Sequence, residues 1–307
     1  MDLSIVIPVR NEEEILDELV SRVLTIVRGL TDLFEVVFVT DVNKDKTFQV
    51  LKQIAKSNHQ VKVLKLSKSH GQSIAIFAGL KYAKGKAVVV MDGDLQDMPE
   101  DIPRLYDKYR EGYDVVYGVK DRKDDRKLMD IFSKLYVKVI NILSDEKVDH
   151  NTNFFRIISR RTADAILLFS GGKPYFPSEV SSVGYPTATV KVTSGSRKAG
   201  KTKFSYITHV GVAINNLISY STKPLRIISV VGSLVFGLGF IYLVVTIVKV
   251  CFYENVVEWS ILVVLAILLG GLQLFFLGIL GVSMGKIFME ARNKPLYIVE
   301  EKVGDLE

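Results

Sequence analysis

The sequence predicts an α/β domain with a mostly parallel sheet and helices on both faces, followed by a hairpin of two membrane-spanning helices. Strand and helix patterns alternate over the first ~120 residues, as expected for parallel strands joined by crossover helices. Two later stretches, 227–248 and 260–285, contain no charged residue. Each is longer than the roughly 20 residues that cross a bilayer as a helix.

Five apolar runs are expected to form the strands. In chain order they are Leu3–Ile7, Phe34–Val39, Val61–Leu66, Ala87–Met91 and Asp114–Tyr117. Pro8 is predicted to end the first strand. A helix is predicted to begin at Asn11 or Glu12, where acidic residues suit the helix dipole. Another helix is expected after Gly71.

After the fifth strand the pattern becomes that of amphipathic helices. Apolar residues recur at helical spacing from Leu128 to Leu143, opposite a basic face. This segment is either a helix packed on the core or one that lies on the bilayer surface. A second such segment runs from about Tyr206 to Tyr220. The predicted order is a cytoplasmic domain (1–204), a juxtamembrane amphipathic helix (205–224), the hairpin (225–286) and a cytoplasmic tail (287–307).

The basic residues predict the orientation of the hairpin. Lys223 and Arg226 precede the first span, and Lys286, Arg292 and Lys294 follow the second. The positive-inside rule then places both termini and the main domain in the cytoplasm, in a multi-pass protein of the inner (cytoplasmic) membrane. The net charge of +6 is interpreted as attraction to the membrane surface. A nucleic-acid partner is not expected, because no basic stripe with interleaved aromatic residues is present.

Three carboxylates follow the fourth predicted strand within six residues. Asp92 and Asp94 are two residues apart, so an extended backbone directs both side chains to one side. Ligands of open α/β sheets bind at the carboxyl ends of the strands. Two hard oxygen ligands there suit Mg²⁺ or Mn²⁺, which in turn can hold a diphosphate. The alternative is a solvated loop that carries this spacing by chance.

Two further loops are predicted to open at the same edge of the sheet. One is Pro8–Glu12, after the first strand, and the other is Thr40–Thr47, after the second. Together they predict a nucleotide site. The sequence contains no G-x-G-x-x-G or P-loop lysine motif, so a dinucleotide or ATP site has little support. Asp41 either accepts a hydrogen bond from a base N–H or caps a turn.

Short motifs follow one another through the chain in a set order. They are Ser4–Pro8, Asn11–Glu12, Gly71–Gln72, Gly79–Gly85, Met91–Glu100, Val116–Gly118, Phe155–Arg160, Arg197–Phe204, Pro224–Arg226 and Gly285–Lys286 with Glu290. Together they resemble the family 2 glycosyltransferases, specifically the membrane-anchored members that transfer a sugar from a nucleotide to polyprenyl phosphate. The resemblance covers nearly the whole chain and implies a nucleotide-diphospho-sugar transferase (GT-A-like) fold.

The resemblance implies a role for each matching residue. The implied nucleotide-sugar site consists of Pro8, Asn11, Glu12, Asp41, Asp92 and Asp94, in which Asp41 reads the uracil and the last two bind the divalent cation (Mg or Mn). Asp94, Gln96 and Asp97 are implied catalytic residues, the last two facing the sugar or the acceptor. The implied ligands of the lipid phosphate are Arg122, Arg126, Arg156, Arg197 and Lys203, since arginine can bind phosphate in a bidentate manner.

Two positions on the acceptor side stand out. Phe154 occupies a position where many relatives carry an aspartate, so an obvious general base is missing; Asp149 is a nearby carboxylate. A phosphate monoester has a second pKa of about 6 and could attack the anomeric carbon unaided. Arg156 lies in an apolar stretch and is expected to have an anionic partner, either an internal carboxylate or the lipid phosphate.

The function expected from these features is an inverting, metal-dependent transfer of a sugar from a UDP-sugar to polyprenyl (undecaprenyl) phosphate at the cytoplasmic membrane face. UDP-glucose is the first expectation for the donor. Two alternatives stay open: a processive polysaccharide synthase, and a membrane scaffold whose site has degenerated. The sequence does not name the sugar, because pocket shape selects it, and it leaves open whether the protein forms a homo-oligomer.

Overall fold

The computed structural model describes residues 1–120, 154–168, 174–193, 195, 259–291 and 294–306, together with Leu234 and Ile241. The chain divides into two compact units. The first comprises Met1–Phe132, Val148–Lys203 and Asn293–Glu307, and the second comprises Ser133–Lys147 and Phe204–Arg292. Both predicted amphipathic segments, 128–143 and 206–220, lie outside the described residues.

The first unit is built on an eight-stranded sheet with the order β7-β5-β6-β4-β1-β2-β3-β8. The strands are β1 (Leu3–Val9), β2 (Phe34–Thr40), β3 (Val61–Leu66), β4 (Ala87–Val90), β5 (Val115–Lys120), β6 (Arg156–Ser159), β7 (Thr187–Val192) and β8 (Val299–Val303). Strands β1 to β4 run parallel, as do β5 and β7, whereas β6 and β8 are antiparallel to their neighbours. The predicted α/β fold with a mostly parallel sheet is confirmed.

Helices cover both faces of this sheet. On one face lie α1 (Leu16–Arg28), α2 (Thr47–Ser57) and α4 (Ile102–Arg110), and on the other α3 (Gln72–Tyr82), α5 (Arg160–Leu167) and α6 (Phe176–Ser182). Strands β1 and β2 are therefore buried on both sides, which explains why their sequences are apolar without alternation. The short 3₁₀ turn Pro99–Asp101 leads into α4.

Several predicted boundaries differ from the structure by a few residues, and two of the differences have a clear physical reason. Strand β1 does not end before Pro8 but continues to Val9. Its neighbour β4 pairs only as far as Val6, so Pro8 needs no ladder hydrogen bond on that side. Helix α1 begins at Leu16 rather than at Asn11 or Glu12, because side chains of the loop after β2 bind the backbone N–H groups of this segment.

The C-terminal segment contributes an edge strand, which the sequence analysis did not predict. Strand β8 pairs antiparallel with β3. Lys65 Nζ lies 2.8 Å from Glu300 Oε1, and Lys52 forms a second ion pair with Glu301. Beyond the strand, Leu306 is buried in the core. The strand covers the polar backbone edge of β3, which would otherwise be open to pairing with another chain.

Apart from Leu234 and Ile241, the described part of the second unit is one long helix, α7 (Trp259–Ala291), of 33 residues. It includes the whole of the predicted range 260–285, and the side chains of this helix are described only in part. Judged on the described residues, no helix of the protein combines the length and the hydropathy required to span a bilayer. Apart from Leu234 and Ile241, the predicted first span, 227–248, lies outside the described residues.

Candidate active site

The loop after β4 presents its polar side chains to one side. Asp92, Asp94 and Gln96 are partly buried, whereas the residues between them and Asp97 are buried. Gln96 donates to Asp94 twice, from its backbone N–H (3.1 Å) and from its side-chain amide (2.8 Å). Leu95 has a φ of 60°, which costs a non-glycine residue about 1–2 kcal/mol. The surrounding packing therefore holds the loop in a conformation in which Asp92 and Asp94 stay partly exposed.

Asp92 has a strongly perturbed acidity. Burial raises its pKa to about 8, and the nearby Asp97 and Asp94 carboxylates contribute to the increase. The side-chain amide of Gln72, at the start of α3, donates to Asp92 and acts in the opposite direction. Negative charge crowded at this point would be neutralised by a bound cation.

The two aspartates fit a divalent cation as a donor set. Carboxylate oxygens are the ligands that Mg²⁺ and Mn²⁺ prefer, and two of them leave positions for the oxygens of a diphosphate. Among the described residues, no group of three or more His, Cys, Asp or Glu side chains forms a closed metal site. Two carboxylates fit a cation that is also held by oxygen atoms of a phosphorylated ligand.

The Asp97 side chain is buried and makes contacts within the protein. Its Oδ2 accepts the backbone N–H of Asp92 (2.9 Å), and its Oδ1 lies 2.8 Å from Lys120 Nζ at the end of β5. The carboxylate is almost completely buried. This geometry gives Asp97 the function of positioning Asp92. Its predicted contact with the sugar or the acceptor stays a prediction.

Hydrogen bonds interlock the loops that follow β1 and β2. The Asn11 N–H donates to Asn43 Oδ1 (3.0 Å), and Asn11 Oδ1 accepts the Lys44 N–H (2.7 Å). Asn11 has a φ of 56°, a conformation that asparagine tolerates better than most residues. The Glu12 N–H donates to Thr47 Oγ1 (2.9 Å). Both predicted nucleotide-binding residues therefore help to hold the two loops together.

The three strand-end loops meet, as the strand order predicts. Gly93 packs against the end of β1, where a Cβ atom added to it would lie 2.5 Å from the Val9 side chain and 3.1 Å from the Pro8 carbonyl oxygen. Asp41, at the end of β2, is largely buried, and its Oδ1 lies 3.4 Å from Arg10 Nε. The predicted nucleotide-sugar residues Pro8, Asn11, Glu12, Asp41, Asp92 and Asp94 thus belong to loops that contact one another.

Arg156 begins β6, opposite Val90 of β4 and Tyr117 of β5. It is 0% exposed. Its guanidinium carbon lies 4.9 Å from the ring centroid of Tyr117 and 5.1 Å from that of Phe176, and its Nε donates to the Phe154 carbonyl (3.3 Å). Burial lowers its pKa to about 10, although Tyr117, Tyr175, Asp92 and Asp97 favour its charge.

Aromatic rings therefore provide part of the stabilisation that the sequence analysis assigned to an anion, since a ring face attracts a cation. The other predicted phosphate ligands, Arg122, Arg126, Arg197 and Lys203, lie outside the described residues.

Sequence reasoning missed two contributors to the site. Lys120, which pairs with Asp97, lies at the carboxyl end of a strand, and its position could have identified it. Gly195 donates its N–H to the Gln96 carbonyl (3.1 Å), and a Cβ atom there would lie 2.2 Å from the Leu95 carbonyl oxygen. No local signal in the sequence identifies this contact, because it joins segments about a hundred residues apart.

Residues 4–167 match the model of glycosyl transferase family 2. The chain belongs to this family. It is accordingly a glycosyltransferase, and the predicted family is confirmed. The match includes the loop Asp92–Asp97 after β4, called the D-x-D loop below, the two loops after β1 and β2, and Arg156.

Several relatives of this glycosyltransferase align with nearly its whole length. An uncharacterized glycosyltransferase of Synechocystis (sll0501) is 35% identical over 306 residues, covering 99% of this chain and 96% of that protein. The uncharacterized glycosyltransferase YkcC of Bacillus subtilis is 33% identical, covering 98% and 94%. The bactoprenol glucosyl transferase of Shigella phage SfV is also 33% identical, covering 98% and 99%.

Solved structures share the fold of the glycosyltransferase. Glucosyl-3-phosphoglycerate synthase from Mycobacterium tuberculosis, crystallised with Mn²⁺, UDP and phosphoglyceric acid, superposes with a TM-score of 0.50 at 18% identity, covering 71% of this chain and 76% of that one. A complex of the same synthase with UDP-glucose has a TM-score of 0.51 at 16% identity, covering 71% and 77%. The likeness establishes the GT-A-like α/β fold.

Proposed function

We propose that this glycosyltransferase transfers glucose from UDP-glucose to polyprenyl (undecaprenyl) phosphate, with inversion, at the cytoplasmic face of a membrane. The observation that carries the proposal is the partly exposed pair Asp92 and Asp94, in a loop that packs against the end of β1 beside the interlocked loops of β1 and β2. Relatives named bactoprenol glucosyl transferase support the choice of sugar and acceptor. Structural neighbours crystallised with Mn²⁺ and UDP or UDP-glucose support the choice of donor and cation.

The site residues have two proposed roles: some bind the cation, and others hold the binding residues in place. Asp92 and Asp94 would hold the divalent cation, which, when bound, stabilises the negative charge of the departing diphosphate. Gln96 orients Asp94, while Asp97 and Gln72 orient Asp92.

The nucleophile in this reaction is the acceptor phosphate, which is largely a dianion at neutral pH. Attack on the anomeric carbon from the side opposite the diphosphate inverts that centre. No general base is needed, and this is consistent with Phe154 at the position where many relatives carry an aspartate.

Membrane attachment is part of the proposal. The charge-free stretches 227–248 and 260–285 and their basic flanks support two spans with both termini in the cytoplasm. Replacement of Cys251 by serine together with Asn255→Cys places one thiol in the loop between the spans. We expect an impermeant thiol reagent to label it from outside intact cells. Labelling that occurs only after the cytoplasmic side is opened would show that the orientation is the opposite of the proposed one.

The reaction itself is tested by metal-dependent release of UDP, measured with and without polyprenyl phosphate. We expect UDP-glucose turnover that requires both the lipid and Mg²⁺ or Mn²⁺, with other UDP-sugars as competing donors in the same assay. Asp94→Asn should abolish most turnover without lowering the melting temperature, since Asp94 is not part of the core. As a matched control, Asp107→Asn, on the exposed side of α4, should keep full activity.

Each alternative function has its own outcome in this assay. A polymerising synthase would release several UDP molecules per acceptor and form an extended glycan. A degenerate scaffold would bind membranes but release no UDP. Near wild-type turnover by folded Asp94→Asn protein would contradict the proposed metal site.

A further inference from the structure

The strand order places different groups on the two sides of the D-x-D loop: the nucleotide-site loops on one side and Arg156 on the other. Strand β4 lies between β1 on one side and β6 on the other. The nucleotide-site loops follow β1 and β2, so a nucleotide bound there lies on the β1 side. Strand β6 begins at Arg156, which pairs with Val90, the last residue of β4. Neighbouring strands are about 4.8 Å apart, so the start of β6 is one strand spacing from the end of β4, where the D-x-D loop begins, on the side away from the nucleotide.

Aromatic rings occupy this far side of the site. The Phe176 ring, on which Arg156 stacks, is fully buried and lies parallel to Phe154 at a centroid distance of 6.4 Å. Phe154 is half-buried and meets Tyr175 edge to face at 6.2 Å. Tyr175 is 37% exposed. The three rings thus extend from the buried guanidinium to the protein surface.

We propose that Phe154 and Tyr175 bind the first isoprene units of the lipid acceptor, immediately next to its phosphate. This inference rests on the proposed function and adds the position of the lipid chain. The acceptor joins a charged head to an apolar chain, so a site for the head must be continuous with an apolar surface. The rings provide that surface on the side of the D-x-D loop opposite the nucleotide. Burying them against a hydrocarbon chain removes apolar area from water, which favours binding.

A sugar is the competing occupant of the same rings. A glucose ring carries hydroxyl groups that need hydrogen-bond partners when buried, and the Phe154 ring offers none. The Tyr175 hydroxyl is a single polar group at the outer end of the cluster. The experiment is therefore designed so that binding of the sugar donor and binding of the lipid chain are measured separately.

The test measures the binding of farnesyl phosphate, which has three isoprene units, and of ethyl phosphate, which has almost no chain. Calorimetry on the full-length protein in detergent, without any sugar donor, makes the result independent of catalysis. The variants are Tyr175→Ala, Tyr175→Phe and Phe154→Leu. The matched control is Tyr185→Ala, which removes a ring that stacks on Arg161, near the amino end of β7. Thermal melting verifies that every variant is folded.

We expect Tyr175→Ala to weaken farnesyl phosphate binding about fivefold to tenfold, because a ring's share of buried apolar area is lost. Tyr175→Phe and Tyr185→Ala should bind as the wild type does, and Phe154→Leu should lie in between. Binding of ethyl phosphate and of UDP-glucose should be unchanged in all four variants.

Two results would overturn the inference. One is unchanged farnesyl phosphate affinity in Tyr175→Ala. The other is weaker UDP-glucose binding in that variant, which would assign the rings to the donor sugar. Failure of the proposed function gives a different signature: wild-type protein would bind farnesyl phosphate through these rings and yet transfer no glucose to polyprenyl phosphate.

Discussion

Lys120 Nζ lies 2.8 Å from Asp97 Oδ1, and this contact joins the end of β5 to the loop that carries Asp92 and Asp94. The Lys120 side chain is 19% exposed, so its ammonium group is largely removed from water. The same carboxylate accepts the Asp92 N–H. One buried group therefore balances a cation and fixes the backbone of a proposed metal ligand.

Asp97→Ala should lower the free energy of unfolding by about 3 kcal/mol, because it leaves Lys120 opposite no carboxylate. The double variant Asp97→Leu with Lys120→Met should recover most of this loss, since neither charge remains. Chemical denaturation measures both. Asp107→Ala, at an exposed position of α4, is the control and should change stability by less than about 0.5 kcal/mol. Equal loss in the single and double variants would show that the ion pair is not the cause.

The raised pKa of Asp92 predicts a pH dependence. Between its ordinary value of 3.8 and about 8, the folded metal-free protein holds a proton that the unfolded chain has released. Stability contributed by this group therefore falls as the pH rises through that window. We expect the melting temperature of metal-free wild type to fall relative to Asp92→Asn from pH 5 to pH 8.

The same proton competes with a divalent cation. Apparent affinity for Mn²⁺ should therefore rise by up to about tenfold per pH unit below pH 8 and level off above it. Calorimetric titration with Mn²⁺ and UDP measures this affinity. Asp97→Asn removes one of the charges that raise the pKa of Asp92, and it should move the plateau to lower pH. A pH-independent affinity in the wild type would contradict the assignment.

Substitution of Arg156 distinguishes a structural role of this residue from a role in binding the acceptor phosphate. Arg156→Lys removes the planar group that lies over the rings of Tyr117 and Phe176, so we expect a loss of about 2 kcal/mol in unfolding free energy. The KM for polyprenyl phosphate should not change in the folded fraction. Arg110→Lys, at the exposed end of α4, is the control. A stable Arg156→Lys protein with a raised acceptor KM would instead support the phosphate role.

Gly195 allows two backbones to approach closely at the D-x-D loop. Gly195→Ala would place a methyl group 2.2 Å from the Leu95 carbonyl oxygen, so the loop or the segment after β7 must move. We expect turnover to fall at least tenfold with a smaller effect on the melting temperature. In Gly29→Ala the nearest contact is 3.3 Å, so that variant should remain active. Full activity of Gly195→Ala would mean that this contact does not position the loop.

Near the amino ends of β2 and β3, Glu35 and Lys62 form a buried ion pair with an Oε2–Nζ distance of 2.8 Å. Burial alone would raise the pKa of Glu35, but hydrogen bonds from Lys62, Ser4 and the Lys84 N–H together lower it. The stability it contributes is therefore complete above about pH 4.5 and is lost as the pH falls through the lowered value.

Lys62→Met should cost about 3–5 kcal/mol near neutral pH, because it leaves the Glu35 carboxylate buried without its cation. Adding Glu35→Gln should recover part of this loss. Lys56→Met, at an exposed position of α2, controls for loss of a lysine alone. Denaturation curves at pH 7 and pH 4 check both statements, and a Lys62→Met variant as stable as the wild type would contradict them.

Local patterns in the sequence were enough to predict the α/β class, the first five strands of a mostly parallel sheet and the edge at which the loops after β1, β2 and β4 meet. Each of these depends on residues close together in the chain: an apolar run forms a buried strand, and a polar loop follows its end. The spacing of Asp92 and Asp94 predicted two carboxylates on one side of an extended backbone. In the structure the two residues lie in the loop after β4, and both side chains are partly exposed.

Tertiary structure decided what surrounds those residues. The pairing of Lys120 with Asp97, the stacking of Arg156 between two rings, the contact of Gly195 with Leu95 and the β8 edge strand all join segments far apart in the sequence. Whether a buried charge meets a carboxylate or an aromatic face depends on which strands become neighbours. Strand order is a property of the whole packed chain, since burial of every apolar face selects it together, and no local spacing encodes it.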